Sequence, residues 1–248
     1  MEAFASGQTF GFLLVMARLG SALMFMPGFG ESFVFLRARL ALALVICLAL
    51  YPATPVPPLT PDPVTLARLM AAEVTVGIWI GLAARVIFSA LEFAGAQVGQ
   101  VSGLANAFGP SLGTFQGATM VATFLTMGGL AALFATNTHY LIIRALLYSY
   151  VVFPFGQPIL GDMADQMVRA VSGSFYIGLT LAAPFLVMGL ILNLGLGLAN
   201  RMLPTLPVFF VAGSVLIGTG FLILAVAVPS ALAAFIDRFG QWFGSFTM

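Results

Sequence analysis

The side chains able to do chemistry are few and poorly grouped. His139 is the only histidine and Cys47 the only cysteine. One of each cannot build a His-rich zinc site or a CxxC metal or redox pair. No HExxH helix is present, and a chain without lysine has no P-loop lysine. Cys47 reads as a small apolar residue inside residues 40–50, and His139 as an interfacial residue opening a helix after Thr136-Asn137-Thr138. Glu73, Arg85 and Glu92 remain, in or near one apolar stretch. Arg85 and Glu92 share a helical face but stand about 10 Å apart along the axis. Each is therefore expected to pair with another helix or subunit. A proton relay is the sharper alternative, but no second carboxylate joins either Glu at i,i+3 or i,i+4. With no acid–base pair and no metal cluster, the expectation is a protein that is not an enzyme and needs no cofactor.

Composition sets what these residues are embedded in. Of the 248 residues, 61% are hydrophobic and 7% charged, against ~25% charged in a soluble domain. A soluble globular enzyme and a disordered segment are both excluded. The net charge of +1 carries no basic tail or acidic run, so a nucleic-acid partner has no electrostatic footprint. Residues 40–61, 93–143, 170–200 and 202–236 carry no charge at all, as insertion into a bilayer requires. Period-2 alternation is absent, so helices and not a barrel are implied. At about 20 residues per span, the composition allows roughly five to seven spans. Glu2 and Arg18 stand where a cleavable signal peptide would need a basic start and an unbroken apolar core. The first hydrophobic segment is expected to be retained.

Punctuation places the elements that must position these residues. A first helix is predicted over 9–25, stopped before Pro27-Gly28-Phe29-Gly30, and a short second over 36–51 beside Arg37 and Arg39. The proline-rich stretch 52–63 leaves no room for a helix. Asp62 then Pro63 reads as an N-cap followed by proline at the first helical position. A third helix runs from 64 to 94 or beyond, with further apolar helices over 118–134 and 139–152. Asp162 is placed to cap another that continues to 203. Pro204 and Pro207 break the chain before a last helix over 208–235, with Pro229 near its end. The chain reads as one all-helical, polytopic unit from 1 to 248, with no domain boundary.

Residues 92–117 form the oddest stretch. Gly95, Gly99 and Gly103 recur every four residues, and Gly109, Gly113 and Gly117 do so again. On a helix each set makes a small-residue face that another backbone can approach. Gln97, Gln100, Ser102, Asn106 and the breaker Pro110 lie between them. Two readings fit: a packing face and nothing more, or a flexible constriction. In the second, Phe108 and Phe115 are apolar bodies able to block a pore by dewetting. Further along, Asn193, Gly197 and Asn200 lie at i, i+4 and i+7 with Arg201 beside them, a polar and small stripe suited to docking another helix or chain.

These tracts resemble the FliR family, membrane proteins of the flagellar type III secretion export gate. The likeness is carried by Asn193-Leu-Gly-Leu-Gly-Leu-Ala-Asn200-Arg201-Met-Leu-Pro204, by Glu92-x-x-Gly95-x-Gln97-x-Gly99 followed by Ala105-Asn106-Ala107, and by Thr138-His139 before an apolar helix. Phe153-Pro154-Phe155-Gly156, Arg18, Met26-Pro27 and Arg37-x-Arg39-x-x-x-Ala43 also fit, so it spans nearly the whole chain. Two positions depart from the family: Gly109-Pro110 stands where Asp-Pro is usual, and Thr205 replaces a Gln after Pro204.

The resemblance implies a fold like a FliP-like portion joined to a FliQ-like hairpin. It implies one copy of the chain in a helical assembly with five FliP-like and four FliQ-like subunits, with an FlhB-like protein around the opening. It also implies a place in the bacterial inner membrane within the flagellar basal body, partly toward the periplasm, and unfolded flagellar proteins as cargo. Residues 102–115 would be the plug that seals the closed channel, with Ser102, Asn106, Phe108, Pro110 and Phe115 in it. Injectisome export proteins share this fold, and the Asn-Arg-Met-x-Pro tract favours flagellar use. A small-molecule or ion transporter is the rival from another class. It needs a midplane site and usually an internal repeat, and no convincing repeat is present.

Overall fold

The computed structural model describes residues 2–31, 33–56, 62–104, 116–157, 159–202 and 208–245. Among these the secondary structure is helical. Helix α1 (Glu2–Val15) passes through a π-helical turn (Met16–Gly20) into α2 (Ser21–Phe25). Then come α3 (Leu36–Leu50), a 3-10 turn (Tyr51–Ala53) and α4 (Pro63–Val101). The remaining helices are α5 (Gln116–Ala135), α6 (His139–Val152), α7 (Leu160–Met202) and α8 (Val208–Ser245). Five helical stretches are long and apolar enough to cross a membrane, and Met120–Ala135 with His139–Val152 adds a sixth if the pair is one broken span. This is a polytopic helical membrane protein.

Most ends follow from local chemistry. The Thr65 amide donates to Asp62 Oδ2 (3.5 Å) and the Leu66 amide to Asp62 O (2.9 Å), so Asp62 caps α4 and Pro63 takes its first position. The Thr65 hydrogen bond holds the exposed Asp62 carboxyl below its ordinary pKa. Asp162 is not the cap of α7: that helix begins at Leu160, and Asp162 lies in its first turn, where it complements the helix dipole. Asn137, at φ 59°, takes the left-handed conformation between α5 and α6. The last helix runs to Ser245, well past the expected end at 235, because Pro229 sits inside it without ending it. Pro184 is likewise carried inside α7.

The chain forms two compact units. The first comprises Met1–Ile87, Asn137–Val171 and Gly240–Met248. Its core includes Leu14, Leu19, Met26, Ile142, Leu146 and Phe153, all buried. α4 lies close to the π-helical turn here: a Cβ at Gly77 would strike Ser21 Oγ and the Arg18 carbonyl. Helix α3, by contrast, buries only Ala43 and Cys47. The second unit comprises Phe88–Thr136 and Ser172–Phe239. Its core gathers Val98, Leu104, Val121, Ala182 and Phe185, with Ile217 and Leu224 packed against them. The Phe88 ring meets Phe235 edge-on at 5.4 Å and Phe239 at 6.2 Å, in the T-shaped arrangement aromatic quadrupoles favour.

Candidate functional site

A buried polar centre lies inside the first unit. Arg18, in the middle of the π-helical turn, and Glu73, on α4, are both completely buried. Arg18 Nε donates to Glu73 Oε2 at 2.6 Å and Nη2 to Oε1 at 3.0 Å, a bidentate fork. Nη2 also donates to the Phe153 carbonyl at 2.9 Å, and Nη1 to the Ser149 carbonyl at 3.0 Å and to Ser149 Oγ at 3.5 Å. Those carbonyls belong to the last turn of α6 and to the residue that follows it, where a cation meets the negative end of the helix dipole. The guanidinium lies 4.2 Å from the Tyr150 ring centroid and 5.5 Å from that of Phe155. A desolvated cation over an aromatic face is worth ~2 kcal/mol. Glu73 Oε1 accepts a further bond from the Gly156 amide at 3.0 Å. Gly156 has φ +72°, a left-handed turn conformation that favours glycine. Trp79 completes the clamp on this turn, with Nε1 donating to Met163 O at 2.8 Å and the ring edge-on to Phe153 at 5.6 Å.

The centre is a network of hydrogen bonds within the first unit. It ties the π-helical turn, α4 and the α6–α7 turn together. A single unpartnered Arg or Glu at this depth would cost several kcal/mol. A buried carboxylate in an apolar helix faces either a partner or water, and for Glu73 the structure shows a partner, Arg18. The pairing itself was missed. Its signal in the sequence is a lone arginine in the apolar stretch 9–25 and a carboxylate on α4, 55 positions away.

The residues proposed for the gate fall mostly in the second unit. Gly95 and Gly99 are buried on α4 and Gln97 is half-buried. A Cβ at Gly95 would strike Ala122 Cα and approach its nitrogen to 2.7 Å, so α5 passes directly against this glycine. Gly103 does not continue the helical face: its φ of +70° takes the chain out of α4, which ends at Val101. Ser102, Gly103 and Leu104 are all buried. Ser102 Oγ donates to the Val98 carbonyl at 2.5 Å, and a Cβ at Gly220 of α8 would come within 2.6 Å of Ser102 Cβ.

Asn106, Phe108, Gly109, Pro110, Gly113, Phe115 and Pro204 lie outside the described residues, and Gly117 is placed only as part of α5. Gly109-Pro110-Ser111-Leu112-Gly113 carries the letters of a serine-hydrolase elbow. That elbow joins a strand to a helix, and no strand occurs among the described residues.

Asn193, Gly197, Asn200 and Arg201 are exposed near the end of α7, beside exposed Leu190, Leu194 and Leu198. Asn193 Nδ2 donates back to Gly189 O at 2.7 Å. Nothing stands within 4 Å of the point a Gly197 Cβ would occupy, so this face is open. Arg85 and Glu92 are exposed on α4. No group of three or more His, Cys, Asp or Glu side chains converges among the described residues.

The sequence pattern of bacterial export proteins, family 1, matches residues 9–242. A flagellar biosynthetic protein FliR from Caulobacter vibrioides is 36% identical over 252 residues, covering 100% of both chains. The chain belongs to the FliR family of bacterial export proteins. The FliR of Escherichia coli K12 is 28% identical over 218 residues, 88% of this chain and 82% of that one. The Yop proteins translocation protein T of Yersinia pestis is 29% identical over 195 residues, 77% and 70% respectively. In this FliR-family chain the Asn193–Arg201 tract is thus an exposed helix face, and the Arg18–Glu73 centre is an internal fastening of the fold.

Proposed function

We propose that this chain is a non-enzymatic subunit of the flagellar type III protein export gate. In this reading it lines part of a protein-conducting channel together with FliP-like and FliQ-like subunits and an FlhB-like protein. It sits in the inner membrane within the flagellar basal body, and residues 102–115 help to seal the resting channel.

The observation that carries the reading is a mismatch of length. Helices α4, α7 and α8 have 39, 43 and 38 residues, or about 58, 65 and 57 Å at 1.5 Å per residue. A bilayer's hydrocarbon core is ~30 Å thick. Tilting shortens the mismatch without removing it. Yet α7 exposes apolar side chains along most of its length, from Val168 and Val171 through Tyr176 and Val187 to Leu198 and Met202. A single bilayer cannot cover that ridge, so partner subunits must cover the remainder.

Flagellar use is favoured over injectisome use because the FliR relative matches the whole chain at 36% identity, against 77% of it at 29% for the Yop protein. Cells lacking the chain are expected to synthesise flagellar axial proteins but retain them, and to be non-motile. Gly103→Val, carried at wild-type abundance, should cut secretion at least about tenfold. It puts a β-branched residue at φ +70°, strain of about 1–2 kcal/mol, against Leu216. Wild-type secretion in cells without the chain would overturn the proposal.

A further inference from the structure

We propose that α3 faces the acyl chains of the bilayer around most of its girth, and that Arg37 at its start binds the headgroup of an anionic phospholipid. Apolar side chains surround α3 on every side but the one that buries Ala43 and Cys47. Leu36, Leu40, Leu42, Leu44, Val45 and Leu48 are all exposed, Val45 by 64%. A partner helix covers one stripe of such a cylinder, whereas acyl chains cover its whole girth.

The length fits as well. The stretch Leu36–Ala53 has 18 residues, about 27 Å, close to the ~30 Å hydrocarbon core and far from the span of α7. Both of its ends carry aromatic side chains. Phe33 and Phe35 lie at one end, with Phe35 84% exposed. Tyr51 lies at the other, its hydroxyl donating to Gln8 Oε1 at 2.6 Å.

Two arginines mark the Phe35 end, and they are not equivalent. Arg39 turns back, with Nε donating to Val34 O at 2.9 Å and Nη1 to Gly30 O at 3.3 Å. Arg37 is exposed and has no ion pair or hydrogen bond among the described residues. The Glu31 carboxylate accepts from the Gly28 amide at 3.5 Å. A free guanidinium beside aromatic residues at the interface complements a phosphate-bearing, negatively charged headgroup.

The test introduces one tryptophan at a time, Phe35→Trp at the end of α3 and Val45→Trp at its middle, into the full chain purified with the subunits it assembles with. Fluorescence above the background of Trp79 and Trp242 is quenched with lipids brominated on their acyl chains, of phosphatidylglycerol or phosphatidylcholine type. Both tryptophans should be quenched. At Phe35→Trp, phosphatidylglycerol should be preferred about fivefold, the factor expected of one arginine near an anionic surface. Adding Arg37→Gln should abolish the preference, and Arg37→Lys should keep part of it. No quenching at either site would mean that protein covers α3, and would overturn the proposal. Quenching with no headgroup preference, or a preference that survives Arg37→Gln, would overturn the role of Arg37.

Discussion

Glu73→Ala is expected to cost the protein about 3–5 kcal/mol, enough to remove it from the membrane fraction or to lower its thermal unfolding sharply in detergent. The reason is what it leaves behind. Arg18 stays completely buried, and its two bonds to Glu73 vanish while the charge remains. The Gly156 amide loses its acceptor too, so the α6–α7 turn comes loose. Arg18→Ala is expected to be comparably damaging: it strands the carboxylate and uncaps the Ser149 and Phe153 carbonyls. Replacing both residues with methionine should harm less than either alanine alone, because neither charge is then left unpaired. Abundance and melting temperature of the three variants decide the matter. Wild-type stability in either single variant would show that the pair holds nothing together.

Gly95→Val carries the second large effect. A valine here drives its side chain into the backbone of Ala122, and a backbone cannot move aside as a flexible side chain can. Forcing α4 and α5 apart opens the Val98–Leu104–Val121 core. Overpacking of this kind costs about 1–3 kcal/mol, read as lower abundance and earlier thermal unfolding. Gly197→Val is the informative contrast. Open space surrounds that glycine, so the isolated chain should fold as before. If α7 docks a partner subunit there, recovery of the assembled complex should fall while the chain's own stability holds. Equal behaviour of the two variants would contradict the division between an internal packing face and an external docking face.

Much of the fold was legible because breakers and caps act locally. Thr138 on one side and Phe153-Pro154 on the other delimit His139–Val152 at the expected bounds. Asp62-Pro63 starts α4 for the reason the dipeptide predicts. What local punctuation could not convey was context. Pro229 reads as lying near the end of a helix that closes at 235, yet α8 continues to Ser245, where Phe235, Phe239 and Phe243 are all buried. Gly103 shares a four-residue spacing with Gly95 and Gly99, but spacing is blind to φ. Arg18 and Glu73 stand 55 positions apart, and only the fold brings them within bonding distance. The family tract Asn193–Arg201 was legible as a sequence and is seen as an open face of α7, whereas of the plug range 102–115 the described structure includes Ser102, Gly103 and Leu104.

A chain with so much exposed apolar surface is expected to hide it in a hetero-oligomer. The direct measurement is purification of the full-length chain from native membranes in a mild detergent, through a tag on the chain itself. The expected product is a large complex containing small helical membrane subunits in fixed ratio to this chain. Recovery of a lone monomer or a simple homodimer would contradict it.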